Sequence, residues 1–203
     1  MSTATESSAT AGLRGVVAAQ SAIGDVDGEK GILIYQGYDI HDLAEHSTFE
    51  EAIYLSWHGR LPKQDELDGL KAELRANYEA PAEVIALMKQ FPKDADPMDV
   101  LRTVVSALDF YDKDGHGTDR ARATKAATKL TWQIGTIAAA WDRIRNGKEV
   151  IEPDHDLSIA ANYLYMTRGE RADADEEKMF DVCLILHADH ELNASTFTTR
   201  VVS

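Results

Sequence analysis

The spacing of apolar residues predicts a chain that is helical over most of its length. Leu67, Leu70 and Leu74 recur at three- and four-residue intervals and therefore lie on one face of a helix. A longer helix is predicted to begin near Thr118 and to end at residues 146–147, Asn-Gly, which favour a left-handed helix end. Further apolar stripes contain Leu101, Val104, Val105 and Leu108, then Leu130, Ile134, Ile137 and Trp141, then Leu157, Ile159, Ala160, Tyr163 and Leu164. These stripes predict a multi-helical core.

Local start and stop signals place several helix boundaries. Residues 48–51, Thr-Phe-Glu-Glu, form a capping box, in which the first and last side chains bond each other's backbone. Asp96 is a predicted N-cap ahead of Pro97. Asp156 and Gly169 bracket another helix. Two more prolines stand where helices could begin: Pro62 and Pro81.

The first part of the chain shows a different pattern. Residues 16–19 and 32–35 are short β-prone runs, and residues 24–28 between them tolerate turn conformations, so a small hairpin is expected. Residues 1–11 are rich in Ser, Thr and Ala and are expected to be a disordered polar tail without the features of a secretion signal. The predicted fold class is mainly α with a small N-terminal β-hairpin, and residues 12–203 form one array without a visible domain linker.

Charge and composition exclude several classes of function. The formal net charge is −14, and no cluster of Lys or Arg interrupts the acidity, so neither nucleic acid nor an anionic membrane surface is an expected partner. The longest apolar stretch, residues 182–186, is far below the roughly 20 residues that span a bilayer. The single cysteine, Cys183, excludes an internal disulfide, which fits a reducing compartment and predicts a cytoplasmic location.

Candidate chemistry lies near the C-terminal end of the sequence. Residues 176–203 are predicted to form one helix, on which His187, His190 and Glu191 would share a face within roughly 60°. Asp189 would point elsewhere, and Arg200 would lie about 80° from His190, which argues against a role as a carboxylate clamp. The shared face is a plausible ligand surface, but it is not a complete active site.

Three interpretations of these residues stay open at this point. Imidazole and carboxylate are good metal ligands, yet zinc hydrolases usually place two helical histidines at i, i+4 with the acid between them, whereas His187 and His190 are at i, i+3 with Glu191 outside. The histidines could instead be satisfied core residues. Cys183 and His187 could pair as nucleophile and base, although Cys183 lies among apolar residues and is predicted to be a buried hydrophobe.

Other motifs have simpler explanations. The sequences at 112–115 and 25–28 have the acidic pattern of a calcium loop, but in the first of them glycine stands at the fourth place instead of the sixth and Ala123 at the twelfth, where a bidentate glutamate is required. Both are predicted to be polar turns. The tryptophans sit in helical apolar patterns and are predicted to be core residues: Trp57, Trp132 and Trp141.

Several stretches together resemble one known family. They are GLRGVV at 12–17, DVDGEKG at 25–31, YQGYDI at 35–40, WHGRLP at 57–62, PMDVLR at 97–102 and HADHELNAS at 187–195. In this order and spacing they are similar to the citrate synthase family, over residues 12–203. Three departures stand out: Asp96 replaces a histidine that many relatives carry, Gln36 replaces an often basic residue, and the tail is rich in Ser and Thr.

The resemblance implies an enzyme that condenses oxaloacetate with acetyl-CoA and hydrolyses the thioester to citrate, with no metal or other cofactor. Family members are largely helical homodimers with a large and a small domain. By resemblance, His190 binds oxaloacetate, His187 orients the motif through hydrogen bonds, and Asn193 assists. The catalytic histidines and aspartate, the arginines that bind carboxylates and the CoA-binding segment are expected after Ser203, so no catalytic residue is expected within this chain.

It follows that the chain is expected to be the N-terminal part of the large domain and to be inactive alone. 2-Methylcitrate synthase, which uses propionyl-CoA, shares these motifs and stays an alternative. Two alternatives belong to other classes: a metal-dependent hydrolase that uses His187, His190 and Glu191, and a non-catalytic helical dimerisation module. A dimer contact is predicted on the long helix, where Gly135 would allow close approach.

Overall fold

A small antiparallel sheet opens the structure, a computed structural model that describes residues 20–112 and 119–202. Its strands are β1 (Gly24–Asp27), β2 (Ile32–Tyr35) and β3 (Tyr38–Asp39), in the order β1-β2-β3. The turn between β1 and β2 is closed by Asp27, whose side chain accepts hydrogen bonds from two backbone N–H groups, those of Glu29 (3.2 Å) and Lys30 (3.1 Å).

This sheet corrects one prediction. Residues 24–28 were expected to form the turn, but residues 24–27 form β1, because they pair with the apolar strand β2. The turn lies at residues 28–31, between the two strands. The register sets Gly24 opposite Tyr35. The predicted strand at residues 16–19 and the predicted tail at residues 1–11 lie outside the described residues.

Helices make up most of the described chain, so the mainly α prediction is confirmed. Residues 20–112 and 119–202 contain nine α-helices and one 3-10 turn (Asp109–Tyr111). The helices are α1 (Ile40–His46), α2 (Phe49–His58), α3 (Gln64–Arg75), α4 (Ala82–Met88), α5 (Pro97–Leu108), α6 (Arg120–Arg145), α7 (Ile159–Arg168), α8 (Ala174–Leu186) and α9 (Ala194–Val202).

Most predicted start signals act as expected. Thr48 and Glu51 form the capping box at the start of α2, and Asp96 caps α5 by accepting from the backbone N–H of Met98 (2.8 Å). Pro97 is the first residue of α5. Pro81 is the N-cap residue of α4, and Pro62 precedes the N-cap of α3.

Two predicted starts are displaced. The N-cap of α6 is Asp119, and Thr118 lies outside the described residues. The N-cap of α7 is Ser158 and not Asp156, because the Ser158 hydroxyl accepts the backbone N–H of Ala161. The predicted ends of both helices are confirmed, at residues 146–147 for α6 and at Gly169 for α7.

The core consists of three buried clusters that α6 and α2 help to connect. The first lies between α4, α5 and α6 and includes Trp141; the second lies between α2, α3, α6 and α7 and includes Trp132. Both tryptophans are core residues as predicted, and Trp57 is half-buried against the second cluster. The third cluster joins the sheet to α1, α2 and α8 through Tyr35, Ile40, Leu43, Ala52, Leu55 and Ile185. It brings the hairpin to the end of α8.

A helix that crosses a bilayer must be both long and apolar. In residues 20–112 and 119–202, none of them combines enough length with enough apolar character to cross a membrane.

Candidate functional site

The segment that carries the predicted site residues is a loop and not a helix. Helix α8 ends at Leu186 and α9 begins at Ala194, so residues 187–193, here called the site loop, separate two helices. Glu191 has a positive φ of 58°, which no right-handed helix contains. The predicted single helix over residues 176–203 is therefore wrong, and so is the common helical face for His187, His190 and Glu191. Arg200 lies on α9, on a helix of its own.

His187 forms the C-cap of α8. Its backbone N–H donates to Leu184 O (3.2 Å), and its ring nitrogen Nδ1 lies 2.7 Å from Cys183 O. Because a carbonyl oxygen only accepts, this hydrogen bond requires the proton on Nδ1. The side chain thus satisfies a carbonyl group at the end of the helix, where backbone acceptors have no partner within the helix.

The end of α8 also depends on a tyrosine from the sheet. Tyr35 is completely buried, and its hydroxyl donates to Asp189 O (3.0 Å) and accepts from the backbone N–H of Asp189 (3.3 Å). Leu186 O lies 3.4 Å from the same hydroxyl. Burial raises the pKa of Tyr35, so this hydroxyl stays protonated and keeps its donor at neutral pH. The Tyr35 hydroxyl therefore contacts backbone groups before and after the end of α8.

The carboxylate of Asp189 lies against the backbone of β1. A Cβ atom built on Gly24 would come within 2.6 Å of Asp189 Oδ2, closer than a real Cβ contact. Only glycine leaves room for this approach. Gly24 and Tyr35 face each other in the sheet, so one cross-strand pair contacts Asp189 through both its side chain and its backbone.

Two buried carboxylates anchor α8 and α7 further from the loop. Asp181 of α8 accepts from the backbone N–H of Phe49 at the start of α2 (3.0 Å), and Glu50 of α2 accepts from the backbone N–H of Ile159 at the start of α7 (2.9 Å). Burial raises the pKa of Asp181 to about 6, and the hydrogen bond from Phe49 opposes that shift. These bonds connect α8 to α2 and α2 to α7, and the donors are N–H groups at the starts of α2 and α7.

His190 and Asn193 occupy exposed positions in the loop. Across residues 20–112 and 119–202, no hydrogen-bond or ion-pair partner is found for the His190 ring, so its nitrogens are available to a ligand. The Asn193 side chain accepts from the backbone N–H of Thr196 (2.8 Å), and its carbonyl accepts from Phe197 (2.9 Å). Asn193 is therefore the N-cap residue of α9, a role that accounts for its side-chain oxygen.

The site loop forms neither the predicted metal site nor the predicted pair of Cys183 and His187. Within the described part of the chain, no group of three or more His, Cys, Asp or Glu side chains is placed to hold a metal ion, so His187, His190 and Glu191 are not brought together as ligands. The His187 ring bonds the carbonyl of Cys183 and not its thiol. Cys183 is exposed, and the prediction of a buried hydrophobe is wrong, because Ile185 and not Cys183 faces the third cluster.

The site loop lies at the surface. A cavity of about 830 Å³ lies between α4 and residues 110–112, and none of the site-loop residues lines it. Sequence reasoning identified the segment but predicted it as helix, and it missed Tyr35 and Gly24, which contact Asp189. Tyr35 belongs to a stretch that resembled the family, and Gly24 directly precedes another, yet nothing in the spacing of Tyr35 indicates a contact with a residue 154 positions away.

The architecture places the chain in a class of helical proteins with known structures. It matches the crystal structure of citrate synthase from Pyrobaculum aerophilum with a TM-score of 0.86 and 38% identity, over 94% of this chain and 50% of that one. The structure of a ternary complex of citrate synthase with carboxymethyl coenzyme A and oxaloacetate, from Thermoplasma acidophilum, matches with a TM-score of 0.83 and 27% identity, over 89% of this chain and 48% of that one.

Sequence comparisons agree with the structural ones. The family model for "Citrate synthase, C-terminal domain" matches residues 12–203. Citrate synthase of Haloferax volcanii is 42% identical over 196 residues, which cover 95% of this chain and 52% of that protein. 2-Methylcitrate synthase 1 of Corynebacterium glutamicum is 38% identical over 197 residues, with the same coverage of both. The chain belongs to the citrate synthase family.

The chain spans about half the length of the curated relatives it matches. The predicted resemblance and the predicted fold class are thus confirmed. The assignment of this half to the N-terminal part of the large domain stays a prediction.

Proposed function

We propose that this chain is part of a citrate synthase, which forms citrate and CoA from acetyl-CoA, oxaloacetate and water, and that His190 binds oxaloacetate. The observation that carries the proposal is the exposed His190 imidazole, which has no partner in the described residues and lies in the family motif on a loop with an anchored backbone. The similarity to proteins named citrate synthase supports the reaction, and the ternary complex of the Thermoplasma acidophilum relative supports the ligands.

His190 can contribute one hydrogen bond to the substrate. An imidazole N–H donates to a keto or carboxylate oxygen, and such a bond to a charged group is worth about 1.5–3 kcal/mol. The chain carries a net charge of −14, which repels a dicarboxylate, so further cations are required to bind oxaloacetate tightly. His187 and Asn193 are proposed to support binding mainly through the loop, since the one caps α8 and the other caps α9.

The chemistry of condensation requires more groups than the site loop provides. Removing a proton next to a thioester needs a positioned base and a donor for the developing enolate, and each proton-transfer group typically contributes about 10² to 10⁴ in rate. One imidazole cannot perform both tasks. We therefore place the catalytic residues outside this chain and expect the chain alone to be inactive.

The remaining parts of the proposal concern substrate choice and assembly. The 38% identity to a 2-methylcitrate synthase favours propionyl-CoA as the alternative co-substrate, and a single methylene changes binding by only about 1–3 kcal/mol. A homodimer contact is proposed on α6 at Gly135, where an added Cβ would meet no described atom within 4 Å. A cytoplasmic location, no metal and no other cofactor complete the proposal.

The test is oxaloacetate binding by the 203-residue chain and its His190→Ala variant, measured by NMR titration. Binding of millimolar order is expected for the unmodified chain. Loss of the imidazole should weaken it about tenfold, which corresponds to about 1.4 kcal/mol. His41→Ala, at an exposed histidine of α1, is the matched control and should bind like the unmodified chain.

Equal affinity of the His190→Ala variant would show that another residue binds the substrate. In the same samples, acetyl-CoA and oxaloacetate should release no thiol above the buffer rate. Sustained thiol release by the chain alone would contradict the expected inactivity.

A further inference from the structure

The backbone of the site loop has little support of its own. Helical hydrogen bonding ends with Ala188, whose N–H donates to Ile185 O (3.2 Å). For the backbone groups of residues 190–192, no hydrogen bond is found within the described ranges. Asp189 is therefore the point where the loop is attached to a distant part of the chain.

The attachment fixes the peptide group that leads into His190. The carbonyl of Asp189, which accepts from the Tyr35 hydroxyl, belongs to the planar peptide bond between residues 189 and 190. Holding the direction of this carbonyl limits the orientation of that peptide plane, and with it the position of the His190 Cα atom. Tyr35 can set this direction because its ring is completely buried.

Gly24 leaves room for the same residue on the side of β1. The Asp189 carboxylate approaches the backbone of β1 so closely that an added Cβ at Gly24 would meet it at 2.6 Å. Because Gly24 and Tyr35 are directly opposite each other in the sheet, movement of Asp189 would disturb contacts with both strands. We call this pair the Asp189 clamp.

We infer that the Asp189 clamp, Gly24 with the Tyr35 hydroxyl, positions His190 to bind oxaloacetate, so that Tyr35 is a positioning residue for a substrate it does not touch. The inference rests on the proposed function of His190. If the role of Tyr35 is purely structural, loss of its hydroxyl lowers the stability of the chain and leaves the His190 ring unchanged in the folded state. If Tyr35 positions His190, the same loss changes both the environment of the His190 ring and the affinity for oxaloacetate.

The first experiment compares Tyr35→Phe with Tyr38→Phe in the 203-residue chain. The first substitution removes only the hydroxyl and keeps the ring in the third cluster, and the second makes the same change at the exposed tyrosine of β3 that pairs with Tyr35. The readouts are the Hε1–Cε1 NMR signal of His190, assigned by its loss in His190→Ala, the oxaloacetate titration, and the thermal midpoint.

Tyr35→Phe should shift or broaden the His190 signal before ligand is added and weaken oxaloacetate binding about tenfold. Its thermal midpoint should fall by only a few degrees. Tyr38→Phe should leave the signal and the affinity unchanged. The inference is overturned if Tyr35→Phe leaves either the His190 signal or the affinity unchanged, or if Tyr38→Phe changes both equally.

A second pair of variants tests the other side of the clamp and serves if Tyr35→Phe does not fold. Gly24→Ala forces the Asp189 carboxylate to move, while Gly28→Ala adds a Cβ in the same hairpin with no described atom within 4 Å. Gly24→Ala should shift the His190 signal, and Gly28→Ala should not. An unchanged signal in Gly24→Ala would contradict the clamp.

The two proposals fail in different ways. If the unmodified chain does not bind oxaloacetate, the proposed function fails, and the clamp is judged by the His190 signal without ligand. If the unmodified chain binds and His190→Ala does not, but Tyr35→Phe binds normally, the proposed function stands and the clamp is wrong.

Discussion

The ends of α7 and α8 show two ways in which a helix can stop. Helix α7 ends at Gly169, which has a φ of 99° and whose N–H donates to Tyr165 O (2.8 Å). Helix α8 has His187 and not a glycine as its C-cap, and the first positive φ after this end is that of Glu191. At the first end the terminal glycine itself adopts the left-handed conformation, and Arg143 of α6 adds a bond to Thr167 O (3.1 Å). At the second end the backbone of Asp189 bonds Tyr35, 154 positions away.

The difference explains where the candidate site lies. A helix that ends at a glycine uses a conformation that glycine adopts at little cost, so the residue at the terminus itself favours the turn of the chain. An end that depends on a distant hydroxyl leaves the following residues exposed and oriented by tertiary contacts. The site loop follows the second kind of end, which suits a ligand-binding segment on a rigid support.

The largest expected effect comes from the anchor inside α8. Asp181 has a folded pKa of about 6 against an ordinary value of 3.8, so the folded chain binds the extra proton between these values. The stability from this group is fully present below pH 3.8 and is lost as the pH rises through 6. In Asp181→Asn this pH dependence should disappear, while the amide oxygen can still accept from Phe49.

The measurement is the free energy of unfolding in urea at pH 4 and pH 7. The unfolding free energy of the unmodified chain minus that of Asp181→Asn should be about 2–3 kcal/mol larger at pH 4 than at pH 7. Asp175→Asn, at an exposed acid of the same helix, controls for the loss of one negative charge. Parallel pH curves for the unmodified chain and Asp181→Asn would contradict the raised pKa of Asp181.

A smaller effect is expected from breaking the local end of α7. Gly169→Ala puts a side chain into a left-handed conformation, and its Cβ would lie 3.3 Å from Ile151 Cδ1. The free energy of unfolding should fall by about 1–2 kcal/mol. The matched control is Gly69→Ala within α3, where an added Cβ has no described neighbour within 4 Å; this variant should gain about 0.5–1 kcal/mol. Equal effects of the two substitutions would show that the α7 end does not depend on glycine.

The smallest effect is expected at Glu191, the non-glycine residue of positive φ in the site loop. Glu191→Gly relieves the left-handed strain but increases the freedom of the unfolded chain, so the net gain in unfolding free energy should be about 0.5 kcal/mol. Glu191→Ala removes the same charge and keeps the strain, and it should bring no gain. Denaturant unfolding of both variants measures the difference, and a gain in the alanine variant would assign the effect to charge instead.

Short-range signals made much of the fold predictable. The capping box at Thr48, the cap at Asp96 and the helix ends at residues 146–147 and Gly169 depend on partners within a few positions, and the structure contains all of them. The apolar stripe of Leu67, Leu70 and Leu74 is buried as its spacing predicted. Sequence motifs likewise sufficed to recognise the family, because the order of several specific stretches is itself informative.

The sequence by itself determined that this protein is mainly helical and where most of its helices begin, and it predicted His190 as the candidate binding residue. Only the tertiary structure decided that α8 stops at Leu186, that Cys183 is exposed and that His190 lies on a loop. The reason is physical: apolar residues continue at helical spacing through the end of α8, so local preference favours a longer helix. The third cluster places Tyr35 and Gly24 where they bind Asp189, and these long-range contacts favour the loop.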